Sequence, residues 1–290
     1  MFLDNVKAFV AIAVSLVLIS LLAPLLSREV DHIMLVSFVG FFVAELIFIR
    51  AFSGRITAPN VLMITFLVML LMHSITIVEW FVWGAFGLPV VVACVLSVIS
   101  AYFVTRFSFP ANLLMFILSS IFVGYMYFYG WDLWLHRHNY GTFTGRVDPY
   151  AMSVKLTARD EQNTLISDSF LKEKIVLLDF WTTSCSICFQ KFPLLQSAFD
   201  KYGNDPSILL LAVNAPNEED EPTTPFRKIR ERGYTFPVIV LADEDQAKDF
   251  GVRFYPTTFV VSRAGLIVYK GDIEGAVKMV SKIREAEQRD

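Results

Sequence analysis

Five apolar runs, each of about 18 residues or more, fill the chain between Lys7 and Tyr129. About 20 helical residues at 1.5 Å each cross the hydrocarbon of a bilayer, so runs of this kind confine their part of the chain to a membrane bundle. They cover residues 7–26, 32–52, 60–78, 88–105 and 110–129, with a connection rich in Trp and Phe over 79–87. Residues 1–130 carry five basic and five acidic side chains, whereas residues 131–290 carry 20 basic and 23 acidic ones. An apolar half therefore precedes a polar half. The mean hydropathy of +0.53 excludes a disordered chain, a disulfide-framework miniprotein and a purely soluble enzyme. A net charge of −3 gives no support to a nucleic-acid partner.

The first run exceeds the 7–15 apolar residues of a signal peptide, and no small-x-small cleavage site follows it, so it reads as a spanning helix. Orientation follows from the Lys and Arg of the connections. With the N-terminus in the cytoplasm, Lys7, Arg50, Arg55 and Arg106 fall inside and only Arg28 outside. An odd number of helices then delivers the polar half to the extracytoplasmic side. Glu45 and His73 lie inside predicted spans, where an ionisable group is expensive; each is expected to find a polar partner within the bundle. Neither an internal repeat nor the paired broken helices of many transporters is visible.

Residues 131–150 mix Trp, His and Arg with turn formers, as in an interfacial belt followed by a short linker. His136 and His138 lack a companion Cys or carboxylate cluster, which favours an interfacial pair over a metal site. From residue 151 the pattern becomes that of an α/β domain. A hairpin is expected around the 159–163 turn, then a buried strand in KIVLLDFW (174–181), where the apolar run is nearly continuous. A helix to about Tyr202, a strand at 208–213, a helix capped by Thr224 with Pro225 in its first turn, and a strand at 238–241 follow. A short helix at 244–250, a hairpin of strands 257–262 and 266–270, and a terminal helix from about Glu274 complete the chain.

Three cysteines are present. Cys94 stands alone in a predicted membrane helix and reads as a small packing residue. Cys185 and Cys188 form a C-x-x-C that opens a helix directly after a strand. Half of a zinc site looks the same, but tetrahedral zinc needs two further ligands at close spacing, and the polar half has no other Cys. At the start of a helix the unpaired N–H groups and the dipole favour thiolate at Cys185, making it the attacking sulfur. Cys188, one turn on, resolves the mixed disulfide. Asp179, inside an apolar strand, would be a costly buried carboxylate without a task. Desolvation raises the affinity of such a carboxylate for protons and suits it to accept and return the proton of Cys188.

At these residues the chain resembles the thioredoxin superfamily, and in its initial hairpin and the segment 225–233 the TlpA/ResA-like membrane-anchored reductases. DFWTTSCSIC corresponds to the strand-to-helix active site, Pro193 to the helix-kinking proline, and FYPTTF (254–259) to the cis-proline loop. The resemblance covers about residues 150–288 and implies a catalytic set of Cys185, Cys188, Asp179 and Pro256. Trp181, Ser186, Ile187 and Tyr255 would then touch substrate. The departures are Ser184 before the first Cys, a Ser-Ile dipeptide without Pro, and Lys191 where the family often has Glu. Peroxiredoxins are similar too, with Thr182 in place but Leu178 where their motif has Pro.

The resulting expectation is an all-α polytopic membrane domain of about five helices (1–130), an interfacial linker (131–150) and an α/β thioredoxin-fold domain (151–290). The apolar runs and their Lys and Arg place a multi-pass protein in the inner membrane with its polar half periplasmic. The family resemblance, confined to that half, implies a bacterial thiol-disulfide oxidoreductase that acts on protein disulfides or dithiols and needs no cofactor, as a reductase sooner than an oxidase. A lone Cys94 cannot form an intramolecular disulfide, so electrons must come from, or go to, a separate membrane or soluble protein. The rival is a transport or assembly protein whose thioredoxin fold serves docking or redox sensing.

Overall fold

The computed structural model describes residues 2–26, 30–72, 74, 88–152, 155–217 and 220–287. The chain divides into two compact units, Met1–Leu135 and His136–Asp290.

The first unit is helical: α1 (Phe2–Leu26), α2 (Val30–Ala51), α3 (Ala58–Met72), α4 (Leu88–Arg106) and α5 (Phe109–Tyr125), which runs through a π-helical turn into α6 (Trp131–Tyr140), whose residues from His136 on belong to the second unit. These helices fall on the five apolar runs. Among the described residues three segments are long and apolar enough to cross a membrane, Met34–Ala51, Leu88–Arg106 and Phe109–Tyr140; Asn5–Ile19 and Ala58–Met72 are shorter. Apolar side chains such as Val43, Ile47, Leu70 and Ile121 point outward. Inside, the Thr65 hydroxyl donates to Glu45 Oε2 at 2.7 Å, so the buried Glu45 has its expected partner on a neighbouring helix. The Ser100 and Ser119 hydroxyls join α4 to α5 at 2.8 Å. Cys94 is buried and free. His73 and the aromatic connection 79–87 lie outside the described residues.

The second unit is one mixed eight-stranded sheet with helices on its faces. Its strands are β1 (Arg146–Ala151), β2 (Thr157–Arg159), β3 (Leu165–Ser167), β4 (Ile175–Trp181), β5 (Ile208–Asn214), β6 (Val238–Leu241), β7 (Thr257–Val261) and β8 (Leu266–Gly271). The order across the sheet is β1-β8-β7-β4-β5-β6-β2-β3. The helices are α7 (Asp168–Leu171), α8 (Ser186–Tyr202), α9 (Thr224–Arg230), α10 (Glu244–Asp249) and α11 (Ile273–Glu287). β4 is central and buried along its whole length, as its unbroken apolar run requires when both faces are covered. Alternation sends Val176, Leu178 and Phe180 into one core and Ile175, Leu177 and Trp181 into the other, where α8 and α11 pack.

Two expectations need correcting. Residues 146–150, read as linker, belong to β1, which pairs antiparallel with β8 at the sheet edge. The cap of α9 is Thr223 rather than Thr224, with Pro225 still in the first turn.

Candidate functional site

The site forms where β4 ends and α8 begins. Cys185 is the N-cap of α8 in extended conformation, and its Sγ accepts the Cys188 N–H at 3.1 Å. It thereby satisfies one of the N–H groups that a helix start leaves unpaired. A disulfide joins Cys185 to Cys188. The two sulfurs differ in setting: Cys185 is half-buried, whereas Cys188 is 0% exposed. Ser186 and Ile187 between them are exposed, Ile187 by 55%.

Asp179 is 2% exposed. Its neighbours on the adjacent strands are Ala212 on β5 and Thr258 on β7, which removes the possibility of a carboxyl at a sheet edge. The Thr258 hydroxyl donates to Asp179 Oδ1 at 2.7 Å. Burial above all, and the negative charge of Glu274 after it, push the carboxyl up to about 7 against the Thr258 hydrogen bond, which pulls the other way. An acid so placed can hold or release a proton near neutral pH, the range a general acid–base group needs.

The Tyr255–Pro256 peptide is cis, as the resemblance implied. Thr257 Oγ1 donates to the Phe254 carbonyl at 2.6 Å and braces this loop. Tyr255 is half-buried and packs against both cores. The last turn of α6 reaches the same loop: the His138 and Phe254 rings lie 5.4 Å apart, and Tyr140 Oη donates to the Pro256 carbonyl at 3.4 Å.

Trp181 departs from expectation. It is 0% exposed, with its ring edge-on to Phe189 at 5.8 Å and Phe192 at 5.2 Å. α8 turns these two phenylalanines onto the end of β4, and the indole becomes core beneath the disulfide rather than a surface for substrate. Sequence reading missed Thr258, Tyr140 and Glu274. For Thr258 a signal existed, a hydroxyl two residues past the Pro of the loop, one of two that open a strand whose remaining residues are apolar; Tyr140 lay in a stretch read as linker and gave none.

Residues 149–270 match the sequence model of the AhpC/TSA family, and the fold of the C-terminal half is that of thioredoxin. Sporulation thiol-disulfide oxidoreductase A of Bacillus subtilis is 29% identical over 96 residues, 33% of this chain and 58% of its own length. Thiol-disulfide oxidoreductase ResA of Halalkalibacterium halodurans is 27% identical over 117 residues, 40% of this chain and 64% of its own. The chain thus spans less than two thirds of the length of these relatives. The crystal structure of StoA from Bacillus subtilis matches with a TM-score of 0.38 at 24% identity, over 44% of this chain and 98% of that one.

Proposed function

We propose that this protein is a membrane-tethered thiol-disulfide oxidoreductase that reduces protein disulfides on the extracytoplasmic side. The observation that carries the reading is the unequal placement of the two sulfurs, one half-buried at a helix cap and one fully buried on the face where Asp179 lies.

In the reduced protein the Cys185 thiolate attacks a substrate disulfide. A mixed disulfide forms, and the first substrate sulfur leaves as a thiolate that takes a proton from water. Cys188 then gives its proton to the Asp179 carboxylate and attacks Cys185 Sγ. The Cys185–Cys188 disulfide closes and the second substrate sulfur leaves. Two electrons have passed to the substrate, and a separate dithiol protein returns them to the pair. Ser186, Ile187 and Tyr255 frame the approach to Cys185, and the Pro256 loop braces it. The helices of residues 1–130 anchor the domain in an inner membrane with the N-terminus in the cytoplasm, on the strength of four basic connection residues against one.

Cys188→Ala tests the reading. In cells it should accumulate protein adducts that dithiothreitol releases, and Cys185→Ser introduced beside it should abolish them. Equal adduct levels in the single and double variants would sink the assignment.

A further inference from the structure

One row across the sheet joins the buried acid to the start of the last helix. Asp179 on β4 pairs with Thr258 on β7, and Thr258 pairs with Gly271 on β8, two strand spacings or about 10 Å in all. α11 begins two residues after Gly271, so Glu274 stands in its first turn. Asp179 alternates with Phe180 and shares the face of Leu177 and Trp181, the face that α8 and α11 cover. α11 packs against β4, β7, β8 and α8.

Glu274 is held there by Lys191 of α8, three residues after Cys188, whose Nζ donates to Oε1. The other oxygen, Oε2, is buried without a hydrogen-bond partner. The remaining groups around the row are few. From β8 and the α11 start, Tyr269 Oη donates to Asp272 Oδ1 at 3.0 Å, and the Gly275 N–H donates to the same oxygen at 2.7 Å. From the preceding segment come Tyr140, which feels the charges of Asp272, Asp179 and Glu274, and His136, whose Nε2 stands by Gly271. From α8 come Cys185, Cys188 and Lys191, and from β5 the uncharged Ala212. Among the described residues, Lys191 is the cation paired with Glu274.

We propose that the Lys191–Glu274 pair is a positioning device for the resolving step: Glu274 keeps a negative charge beside Asp179, Lys191 limits it, and their balance sets how readily Asp179 takes the Cys188 proton. The inference rests on the thiol-disulfide exchange proposed above. Its sign is set by electrostatics, since a like charge nearby disfavours ionisation and an opposite charge favours it. Glu274 already acts on Asp179 in that sense.

The test is a pH–rate profile of mixed-disulfide resolution in the full chain in detergent, by single-turnover reduction of insulin. The rate should rise with pH through the ionisation of Asp179. Glu274→Gln should move the midpoint down by roughly half to one pH unit, and Lys191→Gln should move it up by a similar amount, the usual size for one neighbouring charge. The plateau rate should stay the same in both. Both side chains are partly exposed, 40% for Lys191 and 38% for Glu274, so either variant can be checked for folding by its melting temperature. A purely structural pair would lower the plateau or move both midpoints the same way, and either result, like unmoved midpoints, overturns the inference. If the wild-type chain forms no mixed disulfide with insulin while folded, the functional reading fails and the inference fails with it; resolution with an unmoved midpoint fails the inference alone.

Discussion

Asp179→Asn should reverse the sign of its effect on stability between acid and alkaline pH. The carboxyl ionises near pH 3.9 in an unfolded chain and near 7 in the fold, where burial dominates. Between those values the native state binds the extra proton, so native stability falls as pH rises through the window and stays low above it. About three pH units at 1.36 kcal/mol each give roughly 4 kcal/mol of stability lost by wild type between pH 4 and pH 8. Asparagine keeps the shape and still accepts the Thr258 hydroxyl, but its amide NH₂ puts a donor where the carboxylate has an acceptor, at about 1–3 kcal/mol. The variant should thus be less stable than wild type by about 1–3 kcal/mol at pH 4 and more stable by about 1–3 kcal/mol at pH 8. Hydrogen exchange of the β4 amides in the oxidised full chain, corrected for intrinsic rates, reads this difference at both pH values. A difference between variant and wild type that does not change with pH would refute the assignment of Asp179 as a proton-holding acid in the fold.

Gly145→Ala should loosen β1 from β8, because Gly145 has φ +78° and a Cβ would stand 2.1 Å from the Tyr269 ring. A left-handed conformation and an overpacked contact each cost about 1–3 kcal/mol, measurable as faster exchange of the β1 and β8 amides; unchanged exchange would contradict the packing. For topology, a reporter active only outside the cytoplasm should work when fused after Asp290 and stay silent in the 50–55 connection. The opposite pattern would invert the orientation and the compartment.

The parts of this fold that were legible in the sequence are those whose side chains carry a period or an unbroken run. KIVLLDFW could only be a strand covered on both faces, and the Cys pair directly behind it located the site. β1 was not legible, since residues of its segment RVDPYA are mostly exposed, and an edge strand with one Pro carries neither alternation nor a core face. The burial of Trp181 was likewise hidden, because it depends on how α8 turns Phe189 and Phe192 toward β4 rather than on the Trp itself. Cross-strand partners are harder still. Thr258 lies 79 residues from Asp179, and only the pairing of β7 with β4 brings them together; a single sequence records no register.

That pairing also explains why the acid is tolerable at all. A carboxylate in a central strand with apolar neighbours on both sides would be driven to neutrality or to a partner, and a leucine there would fold better. Thr258 supplies one donor hydrogen bond, which favours the charged form, while burial and the Glu274 charge favour the neutral one. Either influence alone would fix the group in one state. Held between them, Asp179 can change state near neutral pH, on the same face of the sheet as a buried sulfur whose proton must leave before it can attack. In the mechanism proposed above, the stability lost at β4 is thus the same physical quantity that lets Cys188 resolve, and an apolar substitution that regained it would leave that thiol without an acceptor.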